Sequence, residues 1–404
     1  ILNSGSSSLK YQVIDMNTNS LMVEGICEKI GLEQSFITYK VKENKEKIIC
    51  HIPTHKEALE KTLKIIQDKK IGILKSIDEI DAIGHRVVHG GEEFNQSILV
   101  NKEVLDKIES LSDLAPLHNP ANILGIKICM EIIPNKPNIA VFDTAFHQTI
   151  KPEVYLYPLP YEDYTELNVR KYGFHGTSYQ FISEEVEKLI GPNKKVIICH
   201  LGNGASVCAI KNGISIDTSM GLTPLQGLMM GTRCGDIDPS CISYIMKKRN
   251  LTIEELDERL NKKSGMLGIF GESSDSRDIE NAISQGNERA ILTEKMYVHR
   301  IKSYIGAYSA ILGGIDCLVF TAGIGENAID IRKNICNDFE YLGLEFNNKA
   351  NSVRTNDIVE LSKKDSKVKV YKIPTNEEYM IAKEVYRIVM VKNTPISKIN
   401  KQNI

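Results

Sequence analysis

The stretch Lys195–Ile210 (KVIICHLGNGASVCAI) repeats in kind the opening of the chain, Ile1–Ile14 (ILNSGSSSLKYQVI). Each is an apolar strand, a tight Gly/Asn/Ser turn, and a second strand with apolar residues in near alternation. Glycine supplies the positive φ and the close backbone approach that such turns use. Consecutive backbone N–H groups and serine hydroxyls at a tip form a concave surface suited to anions. One Gly-tipped hairpin is common in proteins that bind nothing there. Two of them, half a chain apart, point to a duplicated fold that grips a polyphosphate from two sides.

At 404 residues the chain has room for two domains and a large core. A net charge of −2, with basic residues spread along the chain, gives no electrostatic footprint for nucleic acid. The nine cysteines are odd in number and irregular in spacing, with no C-x-x-C. Cys199, Cys208, Cys234, Cys241 and Cys317 sit in or beside apolar segments, as buried free thiols do, so a reducing, cytoplasmic setting is expected. No run of 18 apolar residues occurs, and no membrane partner is expected. The N-terminus carries no basic-then-apolar segment, and it opens inside a strand at Ile1-Leu2, so further residues of that strand are expected ahead of it.

Helical periodicity covers Lys56 to Gln67 and Lys102 to Leu111, and Asp81 to Val88 reads as a buried strand. Asn119-Pro120 opens a helix, with Asn at the N-cap and Pro at the first turn. Asn138 to Phe142 is a strand that ends at Asp143. The Tyr-rich connection Lys151 to Tyr172 is the expected domain boundary. A helix starts at Thr177-Ser178 and closes at Gly191, Ala290 to Leu312 is a long helix, and Cys317 to Thr321 is a strand. Thr375 with Glu378 reads as a capping box ahead of a last helix. Strands alternating with helices give an α/β protein.

There is no Walker-type phosphate loop. Gly323-Ile324-Gly325-Glu326-Asn327-Ala328 follows a strand and matches the dinucleotide fingerprint, with Glu345 placed where a ribose-binding acid would sit. That keeps a dehydrogenase in play, although such a turn can equally lie against an adenosine. His118, His175 and Arg233 stand just ahead of helix starts, where a cation reinforces the anion affinity of a helix N-terminus. His51/His55 and His85/His89 stand at H-x-x-x-H spacing, yet zinc ligation by the histidines is not expected. Arg86, near the end of a buried strand, needs a partner, either a structural carboxylate or a bound carboxylate or phosphate. Asp143 is a candidate for that structural partner. Glu377 in a first helical turn, and Asp275-Ser276-Arg277 as a surface turn, have equally ordinary readings.

The motifs NSGSSSLK (3–10), GHRVVHGG (84–91), APLHNP (115–120), FDTAFH (142–147), GFHGTS (173–178), HLGNG (200–204), Met220 to Arg233 and Phe320 to Asn327 together resemble the acetate kinases over essentially the whole chain. The resemblance implies two ribonuclease-H-like (actin-like ATPase) α/β domains with a nucleotide cleft between them. The first would span 1–150, completed by a C-terminal helix at about 380–404. The second, at 151–379, would bind nucleotide and carry the dimer contact. It implies reversible transfer of the γ-phosphoryl group of ATP to acetate, giving acetyl phosphate and ADP, with Mg²⁺ (or Mn²⁺ in its place), in a cytoplasmic homodimer.

Position by position, the resemblance implies Asn3 and Glu377 at the metal and Lys10 near ATP. It places Arg86 on the substrate carboxylate, Asp143 as the catalytic acidic residue, and His175 and Arg233 as transition-state stabilisers. His200, Leu201, Gly202, Asn203, Gly204, Asp275, Ser276, Arg277, Gly323, Ile324, Gly325, Glu326 and Asn327 would hold the nucleotide. Val88, Leu117, His118, Phe174 and Pro224 would line the substrate pocket. A carboxylate nucleophile is already ionised at neutral pH and needs no general base, so Asp143 is expected to orient Arg86 or a metal-bound water. A propionate or butyrate kinase is the nearest competitor, because one methylene is worth only about 1–3 kcal/mol of discrimination. A nucleotide-driven switch protein is the competitor from another class, disfavoured because it needs no second substrate site.

Overall fold

The computed structural model describes residues 1–42, 44–116 and 118–393, so Leu117 of the expected substrate pocket lies outside the described residues. The chain divides into two compact units, Ile1–Ala145 with the chain from Asn376 onward, and Phe146–Thr375. The break falls ahead of the Tyr-rich connection, which belongs wholly to the second unit. The reason is local: Phe146 packs on the second core, and His147 is buried there between Ser215 and the Phe174 carbonyl.

The first unit holds strands β1 (Leu2–Ser4), β2 (Ser8–Asp15), β3 (Ser20–Glu28), β4 (Phe36–Val41), β5 (Asn44–Ile49), β6 (Ile83–Val87), β7 (Ile98–Leu99) and β8 (Asn138–Phe142). They form one sheet in the order β5-β4-β3-β2-β1-β6-β8-β7. Strands β1 to β5 run as an antiparallel meander, whereas β6 is parallel to β1 and β8 is parallel to β6. The second unit holds β9 (Lys195–Leu201), β10 (Ala205–Lys211), β11 (Ile214–Thr218), β12 (Cys317–Thr321), β13 (Val359–Glu360) and β14 (Lys369–Lys372), in the order β11-β10-β9-β12-β14-β13. Here too β9 to β11 are antiparallel, β12 is parallel to β9 and β14 to β12. Both sheets thus carry an antiparallel three-stranded meander whose first strand is followed by two parallel strands, β3-β2-β1-β6-β8 and β11-β10-β9-β12-β14, which is the ribonuclease-H-like arrangement. Each hairpin noticed in the sequence is the first hairpin of its sheet.

The parallel strands β8 (NIAVF) and β12 (CLVFT) are apolar along nearly their whole length, as strands covered on both faces are. The five residues of β12 and the five of β8 are all buried. One face of β6 and β8 receives the last helix, Glu377–Asn393, through Ile381 and Val385, which pack on Ile139 and Val141. Contact is close enough that a Cβ on Gly84 would come within 2.7 Å of Val385. Docked this way, the helix directs its N-terminal Glu377 toward the C-terminal ends of β6 and β8, where parallel α/β sheets place their ligands.

Three local expectations are corrected. Gly5, Gly202 and Gly204 are not among the positive-φ glycines; they are required by close approach, since a Cβ on Gly5 would meet Ser8 Oγ at 2.7 Å. Asn119 is the first helical residue of Asn119–Ile132, with His118 at the N-cap. Its amide is drawn instead to the His89 backbone, accepting from the N–H at 3.1 Å and donating to the carbonyl at 3.0 Å. The Thr375/Glu378 box does not form: Asn376 Oδ1 accepts from the Tyr379 N–H at 3.0 Å, and the Glu378 carboxylate pairs with Lys10. A capping box that sequence reading missed, Thr252 with Glu255, starts the helix Ile253–Lys262.

Candidate active site

In the first unit the site residues gather at the ends of β6 and β8. Arg86 donates from Nε to Asp143 Oδ1 at 3.1 Å and from Nη2 to Oδ2 at 2.5 Å, so one guanidinium edge is held by a two-pronged carboxylate. Asp143 is nearly inaccessible, and Arg86 keeps about a quarter of its side chain exposed (3% and 24%). Burial works against the Arg86 charge, but the Asp143 and Glu377 carboxylates outweigh it and hold its pKa above the ordinary value. Glu377 is half-buried beside them. Burial, with Asp143 and Glu378 nearby, lifts its carboxyl from 4.5 to about 7, against the pull of Arg86 and Lys10.

Asn122, absent from the sequence-based set, ties this corner together. Its Oδ1 accepts from the Val88 N–H at 3.1 Å and its Nδ2 donates to Ser4 O at 2.8 Å, so the hairpin tip and the end of β6 share one amide. Asn3 lies opposite Lys10 in the β1–β2 register. Lys10 is exposed and ion-paired with Glu378. Val88 is buried, and His118 is half-buried at its helix start.

In the second unit the site is built around the tip of the β9–β10 hairpin. His175 is the N-cap of the helix Gly176–Ile190 and adopts a left-handed conformation, φ 58°, uncommon for a residue with a Cβ. Its ring stacks on His200 with centroids 4.0 Å apart. His200 Nδ1 lies 2.9 Å from Ser178 Oγ, which also meets Thr375 Oγ1 at 2.7 Å. Phe174 is buried, and His147 fixes its carbonyl through a 3.0 Å bond; burial lowers the His147 pKa to about 4, so this ring is neutral.

Gly204 explains why a glycine stands at this tip. A Cβ there would lie 3.3 Å from Arg233 Nη1 and 3.7 Å from His175 Nε2, so the guanidinium and the imidazole edge converge on bare backbone. Gly231 admits the tip in turn, since its Cβ would fall 1.9 Å from Asn203 Oδ1. Among the described residues, Arg233 donates to the Pro224 carbonyl (3.4 Å) and Met230 Sδ (3.8 Å). Among the described residues it has no carboxylate partner, and burial alone pulls its pKa below the ordinary value. A half-buried cation left this way is a site for an anion.

Ser276 and Ala328 line one small cavity with Met266, Ile279, Tyr297 and Ile331, and Glu280, Glu294 and Asp330 add acidic groups to its wall. Arg277 is solvent-exposed and clasps Asp275, whose carboxyl its hydrogen bonds lower to about 2. Gly323, Ile324 and Gly325 lie in the short helix Ala322–Asn327 that follows β12. Glu326 accepts from the Ala322 and Thr375 N–H groups, and Asn327 donates to the Gly323 carbonyl, so both also brace the turn. Glu345 is exposed and paired with Lys363, in no position marked by other ligand-binding features.

Comparison with known proteins agrees with this geometry. The model of the acetokinase family matches residues 1–383. The acetate kinase of Fusobacterium nucleatum is 57% identical over 392 residues, covering 96% of this chain and 98% of the relative. That of Halothermothrix orenii is 51% identical over 393 residues, with the same coverage. Among solved structures, the acetate kinase of Porphyromonas gingivalis superimposes with a TM-score of 0.93 at 45% identity, covering 96% of this chain and 98% of that one. A propionate kinase from Francisella tularensis gives 0.90 at 42% identity over the same shares. The chain belongs to the acetokinase family.

Proposed function

We propose that this chain transfers the γ-phosphoryl group of ATP to acetate, reversibly, giving acetyl phosphate and ADP in a single in-line displacement. The observation that carries the reading is Arg233: a half-buried guanidinium with no acidic partner among the described residues, set beside His175 over the bare backbone of Gly204. Phosphoryl transfer is catalysed chiefly by positioning and by neutralising charge on the equatorial oxygens. Arg233 and a donor from His175 meet that need. Arg86, clamped on one edge by Asp143, offers the rest of its donors to the acetate carboxylate.

Asp143 gives both oxygens to Arg86, so it acts by orienting that side chain. The pH–rate profile of Asp143→Asn checks this: activity restored at high pH would mark Asp143 as a base instead. Direct transfer predicts inversion at phosphorus, and retention would point to a phosphoenzyme on Glu377.

Glu377 and Asn3 would hold Mg²⁺. No cluster of three or more His, Cys, Asp or Glu suited to a metal occurs among the described residues, and a site with one carboxylate suits an ion that keeps several waters and leans on substrate phosphates. Bound there, the ion would draw charge off the phosphate oxygens. The segments 275–277 and 323–327 would lie against the adenosine, with His200 to Gly204 beneath the phosphates. Two copies would pair through the second unit, where the helix Ser240–Arg249 has no buried residue and exposes Ile242 and Tyr244. No helix among the described residues is long and apolar enough to cross a membrane, and a cytoplasmic enzyme is the reading that fits.

Hydroxamate formation with Mg·ATP and hydroxylamine, run with acetate, propionate and butyrate, tests the proposal. Activity led by acetate supports it. Activity led by propionate favours the second reading, which the similarity to the Francisella tularensis enzyme keeps open. No product with any acid would overturn both.

A further inference from the structure

We propose that Tyr179 and Ser206 form a hydrogen-bonded chain that holds His175 as a neutral imidazole with its proton on Nε2, making both of them positioning residues for the phosphoryl-transfer step. The inference rests on the reading of His175 as part of the active site. Neither Tyr179 nor Ser206 belongs to the motif residues that carried that reading.

Both side chains are fully buried. Tyr179 stands one helical turn beyond His175 on Gly176–Ile190, and Ser206 faces it from β10, opposite His200 in the ladder. The phenol oxygen lies 2.5 Å from Ser206 Oγ, and Ser206 Oγ lies 2.8 Å from His175 Nδ1. Each hydroxyl owns one proton. For the buried Tyr179 phenol, Ser206 Oγ is the acceptor within reach; burial also raises the Tyr179 pKa well above 10, which keeps the proton on the phenol oxygen. Having accepted from Tyr179, Ser206 places its own proton toward His175 Nδ1. That nitrogen then accepts, and the ring proton sits on Nε2.

The consequence is directional. Nε2 is the edge that lies beside Gly204, next to Arg233 Nη1. The chain therefore aims an N–H, not a lone pair, at the place where phosphate oxygens gather charge. Protonating Nδ1 would turn that bond around, leaving the Ser206 hydroxyl proton in a dry interior without its acceptor. His175 acts as a fixed hydrogen-bond donor while Arg233 supplies the positive charge. The left-handed backbone at His175 and the stacked His200 ring hold the imidazole plane in the same direction.

The test combines a double-mutant cycle with ¹⁵N NMR of the histidine rings. Tyr179→Phe is expected to lower kcat about tenfold, the scale on which loss of an orienting partner acts, with KM for ATP and acetate nearly unchanged. In a His175→Ala background the same change is expected to cost nothing further, because the chain acts only through His175. Ser206→Ala should reproduce the pattern, with melting curves of all variants reporting folding. In the wild-type protein the His175 spectrum should show a bare Nδ1 and a protonated Nε2. An equal loss from Tyr179→Phe with and without His175 would overturn the proposal and make Tyr179 a packing residue. So would a wild-type His175 protonated on Nδ1. A His175→Ala protein as fast as wild type would overturn the underlying assignment of His175 itself, a result distinct from either of those.

Discussion

The two units share a sheet order and a Gly-tipped first hairpin, yet they treat their arginines in opposite ways. Arg86 in the first unit is locked to Asp143, with Glu377 close by. Arg233 in the second unit is held by a carbonyl and a thioether, with no acid among the described residues. The same fold therefore makes two kinds of anion site. A clamped guanidinium is stiff and partly neutralised, suited to orienting a small carboxylate. An unclamped one keeps its full charge for a group whose own charge grows in the transition state. Folding sets the first cation and leaves the second for the ligand to neutralise.

The contrast can be broken most sharply at Arg233. Replacing it with Met keeps the stem and removes the charge, and kcat is expected to fall by about 10²–10³-fold, the scale for one transition-state donor. Thermal unfolding should show no loss of stability, because a cation without a partner has been taken out of a half-buried place. At Asp143 the opposite balance is expected. Asp143→Asn strands the Arg86 charge and should cost about 3 kcal/mol of stability in denaturant unfolding, along with weakened acetate use.

A third measurement follows Glu377 with pH. Its carboxyl titrates near 7 in the folded chain and near 4.5 when unfolded, so between those values only the folded chain keeps the proton. Stability from this group therefore falls as pH rises from about 4.5 to 7 and is flat above. The change is on the order of 2 kcal/mol after allowance for solvent screening. Glu377→Gln should erase that slope in unfolding curves taken across the window. The smallest effect concerns the start of the last helix: Asn376→Ala should cost about 1 kcal/mol, whereas Glu378→Ala, once expected to close a capping box, should cost less.

Much of this was legible in the chain because it is local. Hairpins, the strand Cys317–Thr321 and the helix closing at Gly191 depend on alternation, periodicity and a breaker within a few residues. Arg86 announced itself because a charge near the end of an apolar strand demands a partner, and Asp143 was already a candidate for that role. What escaped depends on partners far along the chain. Asn119 looked like a cap until His89 claimed its amide, thirty residues away. Nothing near Glu326 announces that its carboxylate accepts from the Thr375 N–H, 49 residues on. The break between Ala145 and Phe146 carries no Gly or Pro signal; it is set by which core Phe146 joins. Tyr179 and Ser206 read as ordinary helix and strand residues until the fold placed their hydroxyls 2.5 Å apart.

The most direct test runs the reaction backward. Acetyl phosphate, ADP and Mg²⁺ are mixed with the wild-type protein and with Arg233→Met, and ATP formation is followed by ³¹P NMR alongside melting curves of both proteins. The account predicts an ATP signal that grows with wild type and nearly vanishes with Arg233→Met, while the variant melts no lower. A variant that makes ATP at the wild-type rate, or that loses ATP formation only because it unfolds, would contradict it.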